Sequence, residues 1–271
     1  MPLPDFLRRM RVHRLMLYYL LALLAVAMAL CIAGLLPYAA RDLAFSALLI
    51  TAATWSGNWL FARAWGAKSD MESILITALI LTLIITPMAF TDASAIGYAI
   101  FASLWAAASK FLLTLGRRPL FNPAAFGVAL AAVAFGASVS WWIGGSLYLL
   151  PIILLGGVMI MAKMRNFNML AAFAIASLAV IAWTSHTPLQ AAAGFTIHSM
   201  FLFFVFVMLT EPRTAPNGRT NRMLYGALVG LLFAPAIHIG PIYSTPELAL
   251  LIGNVFAGAT FVWQRRGLAT A

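Results

Sequence analysis

Charged residues and cysteine are scarce in this chain, and each shortage excludes a class of protein. Only 9% of its 271 residues are charged, whereas 63% are hydrophobic and the mean hydropathy is +0.97. Soluble domains carry roughly 25% charged residues, so the composition predicts an integral membrane protein. The one cysteine, Cys31, excludes a disulfide framework or a four-cysteine iron–sulfur site built by this chain alone.

Acidic residues are rarer than basic ones, and the common catalytic motifs are missing. Seven Asp and Glu against seventeen Lys and Arg give a net charge of +10. In a membrane chain this excess is typical of cytoplasmic loops, so we predict anionic membrane lipid and not nucleic acid as their partner. The sequence has no Walker loop, HExxH, nucleophile elbow or GxGxxG motif, and neither a metal site nor a hydrolytic activity is predicted.

Hydrophobic segments of about 20 residues predict ten membrane-spanning helices. The segments cover residues 12–36, 43–62, 72–90, 94–114, 122–139, 144–162, 167–184, 190–210, 223–240 and 246–264. With the N-terminus in the cytoplasm, sixteen of the seventeen basic residues fall on the cytoplasmic side, and only Arg41 falls outside. We therefore predict an all-α polytopic membrane protein with five-helix halves at 12–139 and 144–264. Its basic arm at 1–11 and its tail at 265–271 are both expected in the cytoplasm.

The two halves are predicted to be inverted repeats, because an odd number of spans reverses the second half. The segment ILTLIITPMAFTD at 80–92 resembles FVFVMLTEPRTAP at 204–216. Similarly, LFNPAAFGVAL at 120–130 resembles LLIGNVFAGATF at 250–261. The alternative is that Thr-Pro is only a common way to end a helix.

Two polar, proline-containing segments interrupt the hydrophobic sequence, at 116–127 and 209–219. In the first, GRRPLFNPAAFG, Asn122 followed by Pro123 is typical of a helix start. The alternative is a binding site. The small residues that follow would then admit a flat ring or another backbone, and Arg117 and Arg118 would bind phosphate or lipid headgroups.

The second segment, LTEPRTAPNGR, places a carboxylate at the end of an entirely apolar run. One interpretation is a solvated loop in which Glu211 and Arg213 form a local ion pair. The other is a broken helix at which Thr210, Glu211 and Arg213 bind the polar edge of a ring or a cation.

Together these segments resemble the RnfD/NqrB family, the membrane subunits of Rnf electron-transport complexes and of the sodium-pumping NADH:quinone oxidoreductase. The similarity extends to RMLYGALVGLLF at 222–233, to NWLFARAWGAKSDMESILITALILTLIITP at 58–87 and to LIGNVFAGATFV at 251–262. The resemblance implies ten helices in two inverted halves and a location in the bacterial plasma membrane. It also implies a flavin, either FMN or riboflavin, that carries electrons across the membrane.

The resemblance further indicates which residues bind the flavin. They are Asn122, Pro123, Thr210, Glu211, Pro212 and Arg213, to which we add Arg118 and Asn254 as candidates. Better-known members carry FMN covalently on a threonine of a long outer loop, but the loop here, SVSWWIGGSLY at 138–148, has no threonine. Thr187 in TSHTPL is only a weak candidate, because Ser/Thr-Pro is an ordinary turn and helix start.

We therefore expect a short member of the family with non-covalent flavin. It would act as a subunit of an oxidoreductase complex and exchange electrons with other redox subunits, or with an outer flavoprotein or haem protein. Coupled movement of sodium or protons stays open. A transporter or channel for small solutes or ions is the alternative, although only Asn58 and Asn254 interrupt the apolar mid-membrane positions. A scaffold subunit without cofactor is a third possibility.

Overall fold

The computed structural model describes residues 10–116, 118–197, 200–233, 237–239 and 242–269. These residues are mostly helical, which confirms the predicted all-α class. Among them, four helices are long and apolar enough to cross a membrane, as expected for a membrane protein. These four are Val12–Ile32, Ala93–Leu112, Phe167–Thr184 and Pro246–Arg265.

The helices follow the predicted hydrophobic segments, with short hairpins between some of them. In chain order the helices are α1 (Val12–Ile32), α2 (Ala40–Ala64), α3 (Met71–Ile84), α4 (Ala93–Leu112), α5 (Pro123–Phe135), α6 (Leu150–Met164), α7 (Phe167–Thr184), α8 (Pro188–Ile197), α9 (Phe201–Phe203), α10 (Arg219–Phe233) and α11 (Pro246–Ala269). A 3₁₀ turn, Trp142–Gly145, lies between α5 and α6. The strands are β1 (Thr114–Leu115), β2 (Arg118–Pro119), β3 (His238–Ile239) and β4 (Ile242–Tyr243), and they pair as antiparallel hairpins β1–β2 and β3–β4.

Several helices end earlier than the hydrophobic pattern predicts, and for two of them the local sequence gives the reason. The helix α3 ends at Ile84 with an extended backbone at Ile85, and it does not resume up to residue 90 because Pro87 disfavours helical backbone at Thr86. The helix α5 stops at Phe135 because Gly136 takes a left-handed conformation (φ 65°), which is a common helix cap.

The eighth predicted segment, 190–210, is not one continuous helix. After α8 and α9 the chain forms a π-helical stretch, Phe204–Met208, in which Leu209 N donates to Phe204 O at 3.0 Å. Such stretches are uncommon and are frequent at functional sites. The chain leaves the helix here, so the residues from Thr210 to Arg213 lie in the turn that follows.

The centre of the molecule is formed by α3 and by this broken run. Every residue from 76 to 85 and from 203 to 210 is buried. A buried helix end leaves carbonyl groups without partners unless other groups supply donors. At the end of α3 the donor is Trp141 N, which lies 2.9 Å from Ile84 O.

The same order of packing recurs in both halves of the chain. In the first half α2 packs on α3 and α4, and α4 packs on α5. In the second half α7 packs on α8 and α10, and α10 packs on α11. A two-stranded hairpin precedes both α5 and α11, and each of these helices begins with a capping residue and a proline, Asn122-Pro123 and Thr245-Pro246.

Contacts at the two ends of the helices show that neighbours in the first half run in opposite directions. Lys110 near the end of α4 donates to Ser73 O near the start of α3, at 2.9 Å. At the other end, Ser46 near the start of α2 accepts from Met88 N, just beyond α3, at 2.9 Å. We call the first of these the basic end, because its described side chains include Arg14, Arg63, Lys110, Arg118, Arg213 and Arg222. Arg8, Arg9 and Arg117, also predicted on this side, lie outside the described residues.

Candidate functional site

The predicted site residues come together at the basic end, although they are far apart in the sequence. Asn122 connects three of the segments. Its backbone N–H donates to Asn254 Oδ1 on α11 at 2.8 Å, and its Nδ2 donates to Glu211 Oε2 at 2.6 Å. The two polar segments singled out in the sequence, which lie 89 residues apart at this contact, therefore meet directly.

Asn122 has a fixed orientation because every part of it is used. Its Oδ1 accepts from Ala125 N at 3.1 Å, which confirms it as the N-cap of α5. Since the amide oxygen caps the helix, the amide nitrogen points away from it and donates to Glu211. Asn122 therefore both starts α5, as the sequence indicated, and contacts the second polar segment through Glu211.

Glu211 is half-buried and carries a proton more readily than a solvated carboxyl group. Burial raises its pKa to about 7, against the opposing effect of the positive charges on Lys110 and Arg213. Its Oε2 is taken by Asn122, whereas no donor among the described residues reaches Oε1. This second oxygen is left for another partner.

Arg213 does not form the local ion pair with Glu211 that the sequence suggested. Its Nη2 lies 2.8 Å from Asp70 Oδ2, at the N-cap of α3. Burial opposes the ionisation of Asp70, but the hydrogen bond and charge of Arg213 outweigh it and hold the pKa of this carboxyl below its usual value. The pair fastens the turn after the π-helical stretch to the start of α3.

Arg118 holds the same turn from the other side. Its Nε donates to Arg213 O at 3.2 Å, and its Nη2 donates to Pro212 O at 3.2 Å and to Ala215 O at 3.3 Å. The guanidinium also lies over the ring of Phe261, 5.1 Å from its centroid. Arg118 is thus a positioning residue for the turn, with most of its donors already used.

A cavity of about 710 Å³ opens beside these residues at the basic end. Side chains that line it include Asn58, Lys68, Asp70, Lys110, Glu211 and Arg213. Of the predicted site residues, Pro123, Glu211 and Arg213 form part of the wall, and the other five are not among the residues that line it. Thr210, for example, is fully buried and donates to Phe206 O within its own helical run at 2.8 Å.

Two residues of this wall carry signals that were present in the sequence. Lys110 is the only charged residue within the predicted segment 94–114, and an ionisable residue inside a membrane segment is a functional candidate by default. Asn58 is a polar residue within the predicted segment 43–62, and in the structure its amide is buried in α2. The role of Asp70, by contrast, had no local signal, because its partner Arg213 is 143 residues away.

The wall of the cavity offers one donor and two acceptors. Lys110 Nζ donates to Ser73 O at 2.9 Å and to Ser73 Oγ at 3.2 Å, which leaves one of its three hydrogens. Asn58 Nδ2 donates to Ser69 Oγ at 2.8 Å, so its Oδ1 is unused by the described residues. Glu211 Oε1 is the second unused acceptor. This set complements a planar ring edge that has a carbonyl beside an N–H group.

A flavin fits the cavity by volume and by this donor set. Ligand sites of roughly 300–1,000 Å³ are typical of drug-sized and cofactor-sized molecules. The pyrimidine edge of an isoalloxazine ring carries carbonyl oxygens that accept and an N–H that donates. Asn58, Lys110 and Glu211 would hold that edge, with Pro123 and Phe111 among the apolar wall residues.

The small residues after Pro123 serve helix packing. A Cβ atom on Gly127 would lie 2.2 Å from Ala102 O and 2.9 Å from Ala106 Cβ, both on α4. Gly127 therefore lets the backbone of α4 approach closely, which is one of the two predicted alternatives; the other was a flat ring.

Thr187 lies in an exposed turn before α8, away from the basic-end residues described above. Its backbone N–H donates to Ser185 Oγ at 3.1 Å. This is the Ser/Thr turn geometry expected from the Thr-Pro sequence.

Buried polar groups outside the basic end are more numerous than the sequence suggested. Glu247 on α11 is buried and accepts from Trp141 Nε1 at 2.6 Å. Thr54 on α2 and Ser103 on α4 are fully buried, and their hydroxyl oxygens have no partner among the described residues. Asn58 and Asn254 are therefore not the only polar residues of the interior.

Comparison with models of known protein families found no match for this sequence, and comparison with curated proteins found none either.

Proposed function

We propose that this chain is a membrane subunit of an electron-transport system, similar to the RnfD/NqrB family, and that it carries electrons through a non-covalently bound flavin. The observation that supports this most directly is the meeting of Asn122 and Glu211 beside a cavity of about 710 Å³. These residues belong to the two motifs that carry the family resemblance.

The proposal includes ten spanning helices in two inverted halves, with the basic end facing the cytoplasm of a bacterial cell. The recurring packing order, the matching hairpins and the two capped prolines support the repeat. The basic side chains gathered at one end support the orientation, because cytoplasmic loops carry most Lys and Arg.

The chain's own residues bind and orient the ring in this proposal. Lys110 donates to a ring carbonyl, and Glu211 and Asn58 accept from the neighbouring N–H. Asn122, Arg118 and Asp70 keep Glu211 and the turn around it in place. When bound, the flavin supplies the redox chemistry, while the protein sets its position and its electrostatic surroundings.

Electrons must reach and leave the cavity through partner proteins, because the sequence carries no nicotinamide-binding motif. We propose other redox subunits on the cytoplasmic side, and an outer flavoprotein or haem protein on the opposite side.

The visible spectrum of the purified chain in mild detergent tests the proposal. We expect a flavin band near 450 nm, a property of flavins in general, that is released into the supernatant by acid. Lys110→Met and Glu211→Gln should each lower the flavin content at least about threefold, since each removes a contact to the ring. Arg63→Gln, an exposed residue outside the cavity wall, is the control and should keep the wild-type content.

Two results would contradict the proposal in different ways. A flavin that stays with the acid precipitate would identify covalent attachment and would return Thr187 to consideration. A well-folded protein without a flavin band would leave the transporter or the scaffold.

A transporter for small solutes or ions is the second candidate, and one observation favours it. Thr54 and Ser103 lie on packed helices, and their buried hydroxyl groups lack partners among the described residues. Unpartnered buried hydroxyl groups are often sites of water or of small polar solutes. Solute flux into liposomes that contain the colourless protein would support this function, and the absence of flux would leave the scaffold.

A further inference from the structure

We propose that a cleft between the β1–β2 hairpin and the end of α11 binds the phosphate group of an anionic phospholipid, which Arg118, Arg265 and Thr214 hold. This inference does not depend on the proposed flavin site. It follows from two guanidinium groups that gather around one aromatic ring, and from a buried hydroxyl group beside them that has no partner among the described residues.

The cleft is formed where the hairpin packs on α11. Leu115 on β1 and Leu120 just after β2 contact Gly258 of α11 closely. A Cβ atom on this glycine would lie 2.9 Å from Leu115 Cδ1 and 2.6 Å from Leu120 Cδ1. Residues 213–217, in the turn that follows Glu211, form another wall. The volume of about 20 Å³ admits one water-sized group, such as a single phosphate oxygen, and no ring.

Two guanidinium groups meet at the ring of Phe261, which also lines the cleft. The Cζ atom of Arg118 lies 5.1 Å from the ring centroid, and that of Arg265 lies 5.0 Å from it. The Nη1 atom of Arg265 is 3.7 Å from the position that a Cβ atom on Gly116 would take, so this side chain also lies beside the hairpin turn. Neither arginine forms an ion pair with an acidic residue in the described part of the chain. Because two positive charges around one ring repel each other, an anion bound between them is favourable.

Unused hydrogen-bond donors point to the same ligand. Arg118 donates its Nε hydrogen and both Nη2 hydrogens to carbonyl groups of the turn, and its two Nη1 hydrogens are unused within the described residues. Arg265 is exposed, and its guanidinium donates no hydrogen bond to the described residues. Thr214, which is 4% exposed, lines the cleft, and its Oγ1 has no partner among these residues. A phosphate oxygen in the cleft would accept from this hydroxyl group and from the arginines.

The position of the cleft along α11 favours a lipid headgroup as the source of the phosphate. The apolar stretch of α11 ends at Arg265. Trp263, two residues earlier, is 76% exposed, as is typical of tryptophan at the membrane–water interface. No described residue of the cleft wall is acidic, so the wall offers no partner for an ammonium group. Phosphatidylglycerol therefore suits the cleft better than phosphatidylethanolamine.

The test is the binding of phosphatidylglycerol with a fluorescent acyl chain to the full-length protein in neutral detergent, followed by fluorescence polarisation. Wild type should bind this lipid saturably and about tenfold more tightly than phosphatidylethanolamine with the same label. Arg265→Gln should weaken the binding at least about fivefold, and Thr214→Val, which keeps the shape of the side chain, about threefold. Arg63→Gln removes an exposed charge of the same end outside the cleft and should retain the wild-type affinity.

Several results would overturn the inference. Wild-type affinity in both Arg265→Gln and Thr214→Val would show that the lipid binds elsewhere. Equal losses in Arg265→Gln and Arg63→Gln would reduce the effect to the general attraction between basic loops and an anionic membrane. Equal affinity for the two lipids would remove the selectivity for an anion. Glycerol phosphate that displaces the labelled lipid as well as unlabelled phosphatidylglycerol does would identify a site for free phosphate and not for lipid.

Discussion

At the scale of single residues, Glu211 forms a structural contact at the cost of burying its carboxyl group. Its contact with Asn122 joins two distant segments, but burial of an ionised carboxylate is unfavourable. The compromise is the raised pKa of about 7, which lets the group be neutral or charged near physiological pH. Glu211 is thus the described site residue most sensitive to pH.

Glu211 should make the folded protein less stable as pH rises. Its pKa is raised in the folded state, so its contribution to stability is fully present below the unfolded pKa of 4.5 and is lost as pH rises through about 7. We expect the free energy of unfolding to fall by about 3 kcal/mol between pH 4.5 and 8 from this group. Thermal unfolding in detergent across that range measures the slope.

Glu211→Gln should remove most of this slope, because the amide keeps a similar shape and does not titrate. Glu72→Gln is the matched control, since Glu72 lies in an exposed ion pair with Arg14 at 2.9 Å. A wild-type slope that persists in Glu211→Gln would show that another group is responsible.

Asn122 should contribute to stability through two separable contacts. Asn122→Ala removes the cap of α5 and leaves Glu211 Oε2 without its donor, so we expect a loss of about 2–3 kcal/mol. Asn122→Ser keeps a capping oxygen but does not reach Glu211, and should lose about half as much. Thermal unfolding of the two variants gives the comparison. Equal losses would mean that the contact with Glu211 contributes nothing.

At the scale of elements, the sequence was informative where a local rule applies and silent where a long-range contact decides. Asn122-Pro123 predicted the start of α5, and the apolar run before Glu211 predicted the end of a helix. The π-helical stretch had no such signal, because its residues, FVFVM, have no helix-breaking character. It is stabilised by packing in a completely buried position, which only the assembled molecule shows.

The cavity, too, was predicted only where a local sequence feature was present. Five of the eight predicted residues do not line the cavity, because sequence motifs indicate which segments meet and not which side chains face the space between them. The charge of Lys110 within an apolar segment was visible in the sequence, but the pairing of Asp70 with Arg213 joins residues 143 positions apart and depends on the assembled fold. No single segment of the sequence predicts such a contact.

Gly127 should be essential for the contact between α5 and α4. Gly127→Ala would place a methyl group 2.2 Å from Ala102 O, so one helix must move, and we expect a loss of about 3 kcal/mol or more. Gly194→Ala in α8 is the matched control, because nothing lies within 4 Å of its Cβ position. It should be neutral or stabilise by up to about 1 kcal/mol. Similar thermal stability of the two variants would contradict the close packing.

At the scale of the whole molecule, the recurring packing order is more informative than the weak sequence echoes that first suggested it. The echo between 120–130 and 250–261 compares a helix start with a helix interior. The structure instead matches Asn122-Pro123 with Thr245-Pro246, each after a hairpin and each at a capped helix start. The proposed repeat therefore rests on the order of elements and not on residue identity.

The orientation in the membrane gives the last prediction, and the single cysteine makes it easy to test. In a Cys31→Ser background, one cysteine is introduced at Ala137, exposed after α5, or at Asn217, exposed before α10. The proposed topology has three crossings between these positions, so they should lie on opposite sides of the membrane. A membrane-impermeant maleimide should label Ala137→Cys in intact cells and Asn217→Cys only after permeabilisation. Labelling of both in intact cells would mean an even number of crossings, and labelling of Asn217→Cys alone would place the basic end, with its cavity, outside the cell.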